Sequence, residues 1–462
     1  MKYRIEKDTM GEVKIFDNAY WGPQTQRSIN NFNINKDNSK MPLEIINSYA
    51  IIKKAAAIAN NKLNKLSNKK MKLIVSVCDE IINGDLYDHF PLIVWQTGSG
   101  TQTNMNINEV IVNRAHVLSG NKLSSDKKFL KPNDDVNMSQ SSNDTFPTAM
   151  HIAIYDLVLS KLLPELENLK KEFIIKSKKF KNIIKIGRTH CMDAVPITLG
   201  QEFSAYVDQI DNNIKVLKES LKFVSNLVIG GTAVGTGLNA PKGYDKEIVA
   251  QINKISKHKF GVAKNKFSGI SSHDVLVNLH GSFKLVAISL MKIGNDIRML
   301  ASGPRTGISE LILPSNEPGS SIMPGKVNPT QCEALTMVCA KVIGNDTSVN
   351  IGGMNGHFQL NAFKPLIAHC LIESCKLLSD VMKSFNSNCL KGIKANMDQI
   401  DFNINNSLML VTSLNSSLGY NKASEIAKLA YLKNISLKQA TLKLGYLNEQ
   451  DFDAIVNPKK MI

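Results

Sequence analysis

The sequence predicts a mainly α protein built around a long central helical bundle, and three observations carry that prediction. From Phe203, the apolar residues Phe203, Val207, Ile210, Ile214, Leu217, Leu221, Val224 and Val228 recur in alternating steps of four and three. That spacing keeps one stripe along a helix facing a partner. A second series, Leu276, Leu279, Phe283, Val286, Leu290, Ile293, Ile297 and Leu300, repeats the pattern, with Ser271 or Ser272 placed to cap its start. Little of this region alternates with period two, as half-buried strands do. Each helix would be about 40 Å long at roughly 1.5 Å per residue, more than one small domain needs.

The remaining elements follow in chain order. Residues 1–139 mix shorter helices with loop signals such as Tyr20-Trp21-Gly22-Pro23 and read as an N-terminal domain. The central bundle domain, 140–396, opens with a helical stretch from Thr148 to Ser177 in which Pro164 is expected to kink or break the helix. It closes with a helix starting near Pro365 that carries Ile367, Leu371, Leu378, Met382 and Phe385 on one face. Residues 397–462 hold short helices punctuated by Gly419 and Gly445, a small C-terminal domain. The polar backs of the long helices carry Ala, Ser and Gly and only moderate charge, which leaves room for helices of other subunits. No internal repeat or low-complexity tract interrupts the chain.

Composition narrows the function classes. The 462 residues are 43% apolar and 21% charged, typical of a globular chain with a sizeable core. Aromatics are 6%, so that core is mainly aliphatic. The formal charge of +16 would suit nucleic acid or a small anion. The lysines, however, lie in short pairs (Lys127-Lys128, Lys170-Lys171, Lys178-Lys179, Lys459-Lys460) without interleaved aromatics, which argues against nucleic acid. Seven scattered cysteines with no CxxC pair read as reduced thiols rather than a disulfide framework or a compact metal site. The start, MKYRIEKDTMGEV, lacks the apolar core of a secretion signal, and Glu6 and Asp8 are unlike a transit peptide. No uninterrupted apolar run approaches the ~18 residues of a membrane span. A soluble, cytoplasmic protein with no membrane partner is expected.

Four polar, glycine-bearing stretches stand out against the apolar helices. They are Thr97–Asn104, Pro132–Asp144, Gly187-Arg188-Thr189-His190, and Gly319–Asn328. Each gathers hydroxyls, amides or a cation beside glycines that expose backbone N–H groups, a donor set suited to carboxylates and phosphates. None contains GxxxxGK[ST] or GxGxxG, so nucleotide phosphates are not indicated. Any one such loop is more often a cap or turn than a site, and a lone His190 would more often be structural. Asp134-Asp135 has no nearby His or Glu to complete a metal site, and adjacent carboxylates commonly point apart. No metal and no cofactor is expected.

Their combination carries a resemblance. Gly319-Ser320-Ser321-Ile322-Met323-Pro324-Gly325-Lys326-Val327-Asn328-Pro329 resembles the signature of the fumarase/aspartase superfamily. Its continuation, Thr330–Leu335, with Gly344-Asn345-Asp346, is similar to the class II fumarate hydratases. The likeness runs in order from Asp8-Thr9-Met10-Gly11 to Asn415–Tyr420, nearly the whole chain. Two positions discriminate within the superfamily: His190 stands where aspartases carry Gln, and Gly325 where they carry Ala. An aspartate ammonia-lyase of the same fold is the alternative, and reuse of the fold without chemistry is a third class. Ser320, His190, Lys326, Asn328 and Glu333 are all present, which a non-catalytic protein has no need of.

The resemblance implies a three-domain fold whose long helices assemble into a homotetramer core, and the reversible hydration of fumarate to L-malate in the tricarboxylic acid cycle. It assigns the carbon-acid base to Ser320, on a glycine-flanked loop that closes on substrate, and the acid–base partner of the hydroxyl to His190 paired with Glu333. Ser99, Gly100, Thr101, Ser141, Ser142, Asn143, Thr189, Ser321, Lys326, Val327 and Asn328 match the substrate-binding positions. Family members draw these pieces from three subunits. A secondary dicarboxylate site falls on Lys131, Pro132, Asn133 and Asp134, where Lys131 replaces a usual histidine. A flexible ammonium matches a carboxylate less specifically than a ring, so a weakened second site is expected. Cys191-Met192 after His190 is also unusual and reads as packing variation.

Overall fold

The computed structural model describes residues 2–125 and 127–462. The protein is mainly α-helical, and its strands pair only in twos. Tertiary contacts divide it into two compact units. One comprises Met1–Pro164, Lys215–Ala287 and Ala340–Ser379; the other comprises Glu165–Ile214, Ile288–Cys339 and Asp380–Ile462.

The long helices follow the apolar stripes. Leu199–Val224 is one helix, and Phe203, Ile210, Ile214, Leu217, Leu221 and Val224 are buried along it. Val207 is only half-buried, and Val228, although buried, lies beyond the helix end. Asp274–Leu300 is a second helix, with all eight predicted stripe residues buried. Lys364–Asn388 buries Ile367, Leu371, Leu378, Met382 and Phe385 as expected. Ser142–Lys179 and Asp274–Leu300 are long and apolar enough to cross a membrane, but each buries its apolar stripe in the protein, as core helices do.

Two helix-boundary expectations fail. Neither Ser271 nor Ser272 caps the second long helix. A short helix, Lys266–Ser271, ends there, the Ser271 hydroxyl bonds back to the Phe267 and Ser268 carbonyls, and the long helix begins at Asp274. Nor does Pro164 break its helix. Ser142–Leu157 runs into a π-helical turn, Val158–Leu162, and on into Leu163–Lys179. The wider turn just upstream absorbs the missing N–H and the ring of Pro164.

In the first unit, the Leu43–Lys62 helix is the central post. Ile45, Ile46, Tyr49 and Ile52 are buried on it, and it packs against Asn68–Asn83, Ser142–Leu157 and Tyr244–Ser256. An unpredicted hairpin, Tyr3–Asp8 with Gly11–Phe16, leads this unit. Arg4 turns inward there, donating to the Phe16 and Trp21 carbonyls, so a buried arginine hides the alternation that would have signalled a strand.

In the second unit, the strands Ile184–Thr189 and Met192–Thr198 form another unpredicted hairpin. Lys185 is buried beside Ile186, so this strand also lacks a polar face to alternate with. A C-terminal cluster of Leu410, Val411, Leu414, Ala423, Ile426, Ala430, Leu437, Ala440 and Phe452 packs with Ile186. Gly445, at φ 69°, ends the Leu437–Leu444 helix in a left-handed cap.

Candidate active site

Each unit assembles its own group of the polar residues singled out in the sequence. In the first unit, Gly100 takes the N-cap of the Thr101–Leu118 helix at φ 76°. A side chain there would sit 2.0 Å from the Phe146 ring, and one at Gly98 would sit 1.4 Å from the Ala362 carbonyl oxygen. Only glycine allows this loop to lie so deep. The approach brings Ser99 against Thr101 (Oγ to Oγ1 2.8 Å) and Thr101 against Ser142 (Oγ1 to Oγ 2.7 Å), a continuous row of three hydroxyls.

Ser142 starts a helix capped by the Ser141 side chain, while the Asp144 carboxylate accepts from the Ser141 backbone N–H, a reciprocal capping box. The other oxygen of Asp144 accepts from the N–H groups of Gly230 and Thr232, both at 2.9 Å. Burial raises the Asp144 pKa to about 6, and these three N–H groups act against that rise. Asn143 donates to the Ala233 carbonyl oxygen at 2.8 Å. The glycine-rich run Gly230–Gly237 therefore buttresses Asn143 and Asp144. Sequence reasoning missed it, although four glycines in eight residues were a signal.

The stretch Lys131–Asp134 belongs to this unit. Pro132–Val136 is a π-helical turn held by Asp135, which accepts from the Lys131 backbone N–H (2.8 Å) and from Lys70 Nζ (2.7 Å). Asp134 instead pairs with the Lys131 ammonium at 3.3 Å, with both side chains open to solvent (71% and 66% exposed). The adjacent aspartates thus serve different partners. Lys131, Pro132 and Asn133 also line a cavity of about 940 Å³ under the N-terminal hairpin.

The second unit holds the signature loop. The Ser320 hydroxyl oxygen accepts from the backbone N–H groups of Ile322 (3.2 Å) and Met323 (3.0 Å). The loop base is closed by Gly319 N–H to the Lys326 carbonyl at 2.7 Å and by the Asn328 amide to the Gly319 carbonyl at 2.8 Å. Ser321, Lys326 and Val327 are exposed on this loop, and Asn328 is half-buried at its foot. Glu333 follows, exposed in the first turn of the Thr330–Gly353 helix.

His190 sits at the tip of the Ile184–Thr189 and Met192–Thr198 hairpin, with Thr189 and Met192 paired beneath it. His190 and Cys191 are the two turn residues, at φ 56° and 60°. Such two-residue turns ordinarily use Asn-Gly, and two side-chain-bearing residues there store strain of order 1–3 kcal/mol each. Cys191 and Met192 are both exposed, so within the chain they do not provide the packing expected from sequence. Within the chain no hydrogen bond joins His190 to Glu333 among the described residues; each stands open to solvent.

Arg188 departs from expectation too. Its guanidinium is not held for an anion but forms two parallel bonds with Glu310, at 3.0 and 2.9 Å. Glu310 is fully buried and also receives Lys185 at 3.1 Å and the Asn403 amide at 3.0 Å. Burial alone would raise the Glu310 pKa, but Arg188, Lys185 and Asn403 together hold it below the usual range. This network fixes the root of the His190 hairpin, and Glu310 was invisible in sequence because its partners lie over 90 residues away.

Comparison with known proteins agrees with the architecture. A lyase family model matches residues 11–344, and a model described as the fumarase C C-terminus matches 410–462. The chain is 55% identical over 462 residues to the class II fumarate hydratase of Haemophilus ducreyi, covering 100% of this chain and 99% of that one. It is 53% identical over 460 residues to the mitochondrial fumarate hydratase of Dictyostelium discoideum, covering 100% and 95%. The crystal structure of a class II fumarase from Schistosoma mansoni superposes with a TM-score of 0.97 at 42% identity, covering 100% and 99%. Fold, motif order and full-length likeness agree, and the chain belongs to the lyase family, among the class II fumarate hydratases.

Proposed function

We propose that the chain catalyses the reversible, stereospecific hydration of fumarate to L-malate, as a step of the tricarboxylic acid cycle. The observation that carries the reading is the pair of backbone N–H groups directed at Ser320 Oγ. Serine is a poor base unless its alkoxide is stabilised, and two preorganised donors supply that stabilisation.

In the malate-to-fumarate direction, the Ser320 alkoxide takes a proton from C3. The C–H electrons move into the adjacent carboxylate, giving an aci-carboxylate whose extra charge Lys326 and Asn328 hold. Collapse of that species forms the C2–C3 double bond and expels the C2 hydroxyl. The hydroxyl leaves as water after receiving a proton from His190, which Glu333 orients and holds in its tautomer. Ser99, Thr101 and Ser142, with Gly100, Ser141, Asn143, Thr189, Ser321 and Val327, bind the dicarboxylate. No step calls for a metal or cofactor.

The working form in this reading is a homotetramer with sites shared between subunits. Its support is the set of apolar side chains exposed on the long helices: Phe223, Ile288, Met299, Met337 and Ile351. His190 and Glu333 would then meet across copies. The domain division stays 1–139, 140–396 and 397–462, supported at its C-terminal end by the cluster from Leu410 to Phe452, which draws all its members but Ile186 from that last segment. The cytoplasm is the proposed location, and seven free thiols, six of them buried, suit a reducing compartment. The second dicarboxylate site at Lys131–Asp134 is a weakened one, because the flexible Lys131 ammonium, already paired with Asp134, matches a carboxylate less specifically than a ring.

The test is loss of fumarate absorbance in water, with and without added ammonia. Consumption in water alone, unchanged by ammonia, is the expected result. Consumption that requires ammonia would assign an amino-acid lyase instead.

A further inference from the structure

Lys53 is fully buried on the Leu43–Lys62 helix, and its partners among the described residues are amides rather than carboxylates. Its ammonium donates to three neutral amide oxygens: Asn104 Oδ1 at 2.8 Å, Asn137 Oδ1 at 3.0 Å and Gln140 Oε1 at 3.0 Å. All three N–H donors are thereby used. An ammonium has nothing to accept with, so each amide must turn its oxygen inward, which aims its NH2 group elsewhere. The Asn137 amide then donates to the Gln140 carbonyl at 3.2 Å, and the Gln140 amide to the Val136 and Met138 carbonyls, both at 3.1 Å. One ammonium therefore cinches the main chain from Val136 to Gln140.

That loop runs straight into Ser141 and Ser142, while Asn104 lies one helical turn beyond Thr101. Thr101 and Ser142, neighbours in the hydroxyl row, are thus each tied through a short stretch of chain to the same buried nitrogen. An ammonium without an ion pair is expensive to bury, and an apolar side chain of equal length would stabilise a purely structural core better.

We propose that Lys53 is a positioning residue for the reaction: its ammonium holds Thr101 and the Ser141–Asn143 segment in register and so sets affinity for the dicarboxylate. This rests on the reading of Thr101 and Ser142 as substrate-binding. Burial lowers the Lys53 pKa to about 7. The titratable groups around it are Asp144 from the Ser142–Leu157 helix, Cys78 from Asn68–Asn83, whose thiol burial pushes up, and the Tyr49 ring of its own helix, 5.9 Å away. Tyr244, from the helix packed behind, is buried near Asp144, whose charge raises the Tyr244 pKa further. The Thr101–Leu118 helix and the 137–140 loop face it with amides only. Deprotonation would turn a lone pair toward an amide oxygen and release that tie.

The experiment is steady-state kinetics on fumarate with the full-length wild type, Lys53→Met, Gln140→Leu and Thr101→Ala, from about pH 6 to about pH 9. Wild-type KM should rise with pH while kcat changes less. Lys53→Met should raise KM about tenfold at neutral pH and flatten that rise, and Gln140→Leu should raise KM by about threefold. A folded Lys53→Met enzyme with wild-type KM and wild-type pH dependence would overturn the inference. If Lys53→Met does not fold, a pH-independent wild-type KM together with an unaltered Gln140→Leu enzyme would overturn it. Thr101→Ala separates the two ideas. An unchanged KM there removes the substrate-binding reading, whereas a raised KM beside a silent Lys53→Met removes only the Lys53 inference.

Discussion

At the residue scale, chemistry concentrates where the backbone does something costly. His190 carries φ 56° at a hairpin tip, a left-handed backbone that glycine or asparagine adopts at less cost. Ser320 sits where two N–H groups converge on its oxygen instead of on a carbonyl. The His190 tip carries backbone strain, which is the usual mark of a position kept for function. Replacing Ser320 with Ala removes only a hydroxyl that bonds to its own loop, so Ser320→Ala should keep its fold and its thermal midpoint. Turnover should fall by about 10²–10⁴-fold, the ordinary worth of a positioned general base. Circular dichroism with progress curves checks this, and near-normal turnover in a folded Ser320→Ala protein would remove Ser320 from that role.

At the element scale, the Arg188–Glu310–Lys185 network anchors the hairpin that presents Thr189 and His190. Glu310 has a depressed pKa in the folded protein, so its contribution is fully present above its unfolded value, near pH 4.3, and is lost as pH falls through the folded value. Glu310→Gln leaves Arg188 without its carboxylate and Lys185 with Glu202 alone, and should cost about 3–5 kcal/mol at neutral pH. The difference from wild type should shrink below about pH 4, where Glu310 itself becomes protonated. Denaturant titrations at several pH values measure it, and a gap independent of pH would refute the assignment. The same network explains what the sequence could not reveal. Four-three spacing disclosed the helices because every stripe residue reports the same face, as Leu276 to Leu300 do. The hairpins stayed hidden because Arg4 and Lys185 are buried where a strand pattern needs an apolar residue. The motifs exposed Ser99, Thr101, Ser142 and Ser320, but Lys53 and Glu310 carry no local signature, since their meaning lies in partners distant along the chain.

At the scale of the whole molecule, one chain holds two separate polar groups, one around Thr101 and Ser142 and one around Ser320. His190 and Glu333 do not meet within it. In the proposed homotetramer these groups come together from several copies, and apolar side chains exposed on the long helices, such as Met337 (67% exposed) and Phe223 (59%), support that reading. Sedimentation at working concentration should therefore give a tetramer, and a fully active monomer would contradict the shared site. The most direct test of the central claim is the proton NMR spectrum of the product formed from fumarate in D2O. Base chemistry at one fixed residue on C3, opposite the hydroxyl, predicts malate with a single deuterium at C3 in one diastereomer. A mixture of both diastereomers, or no malate at all, would contradict it.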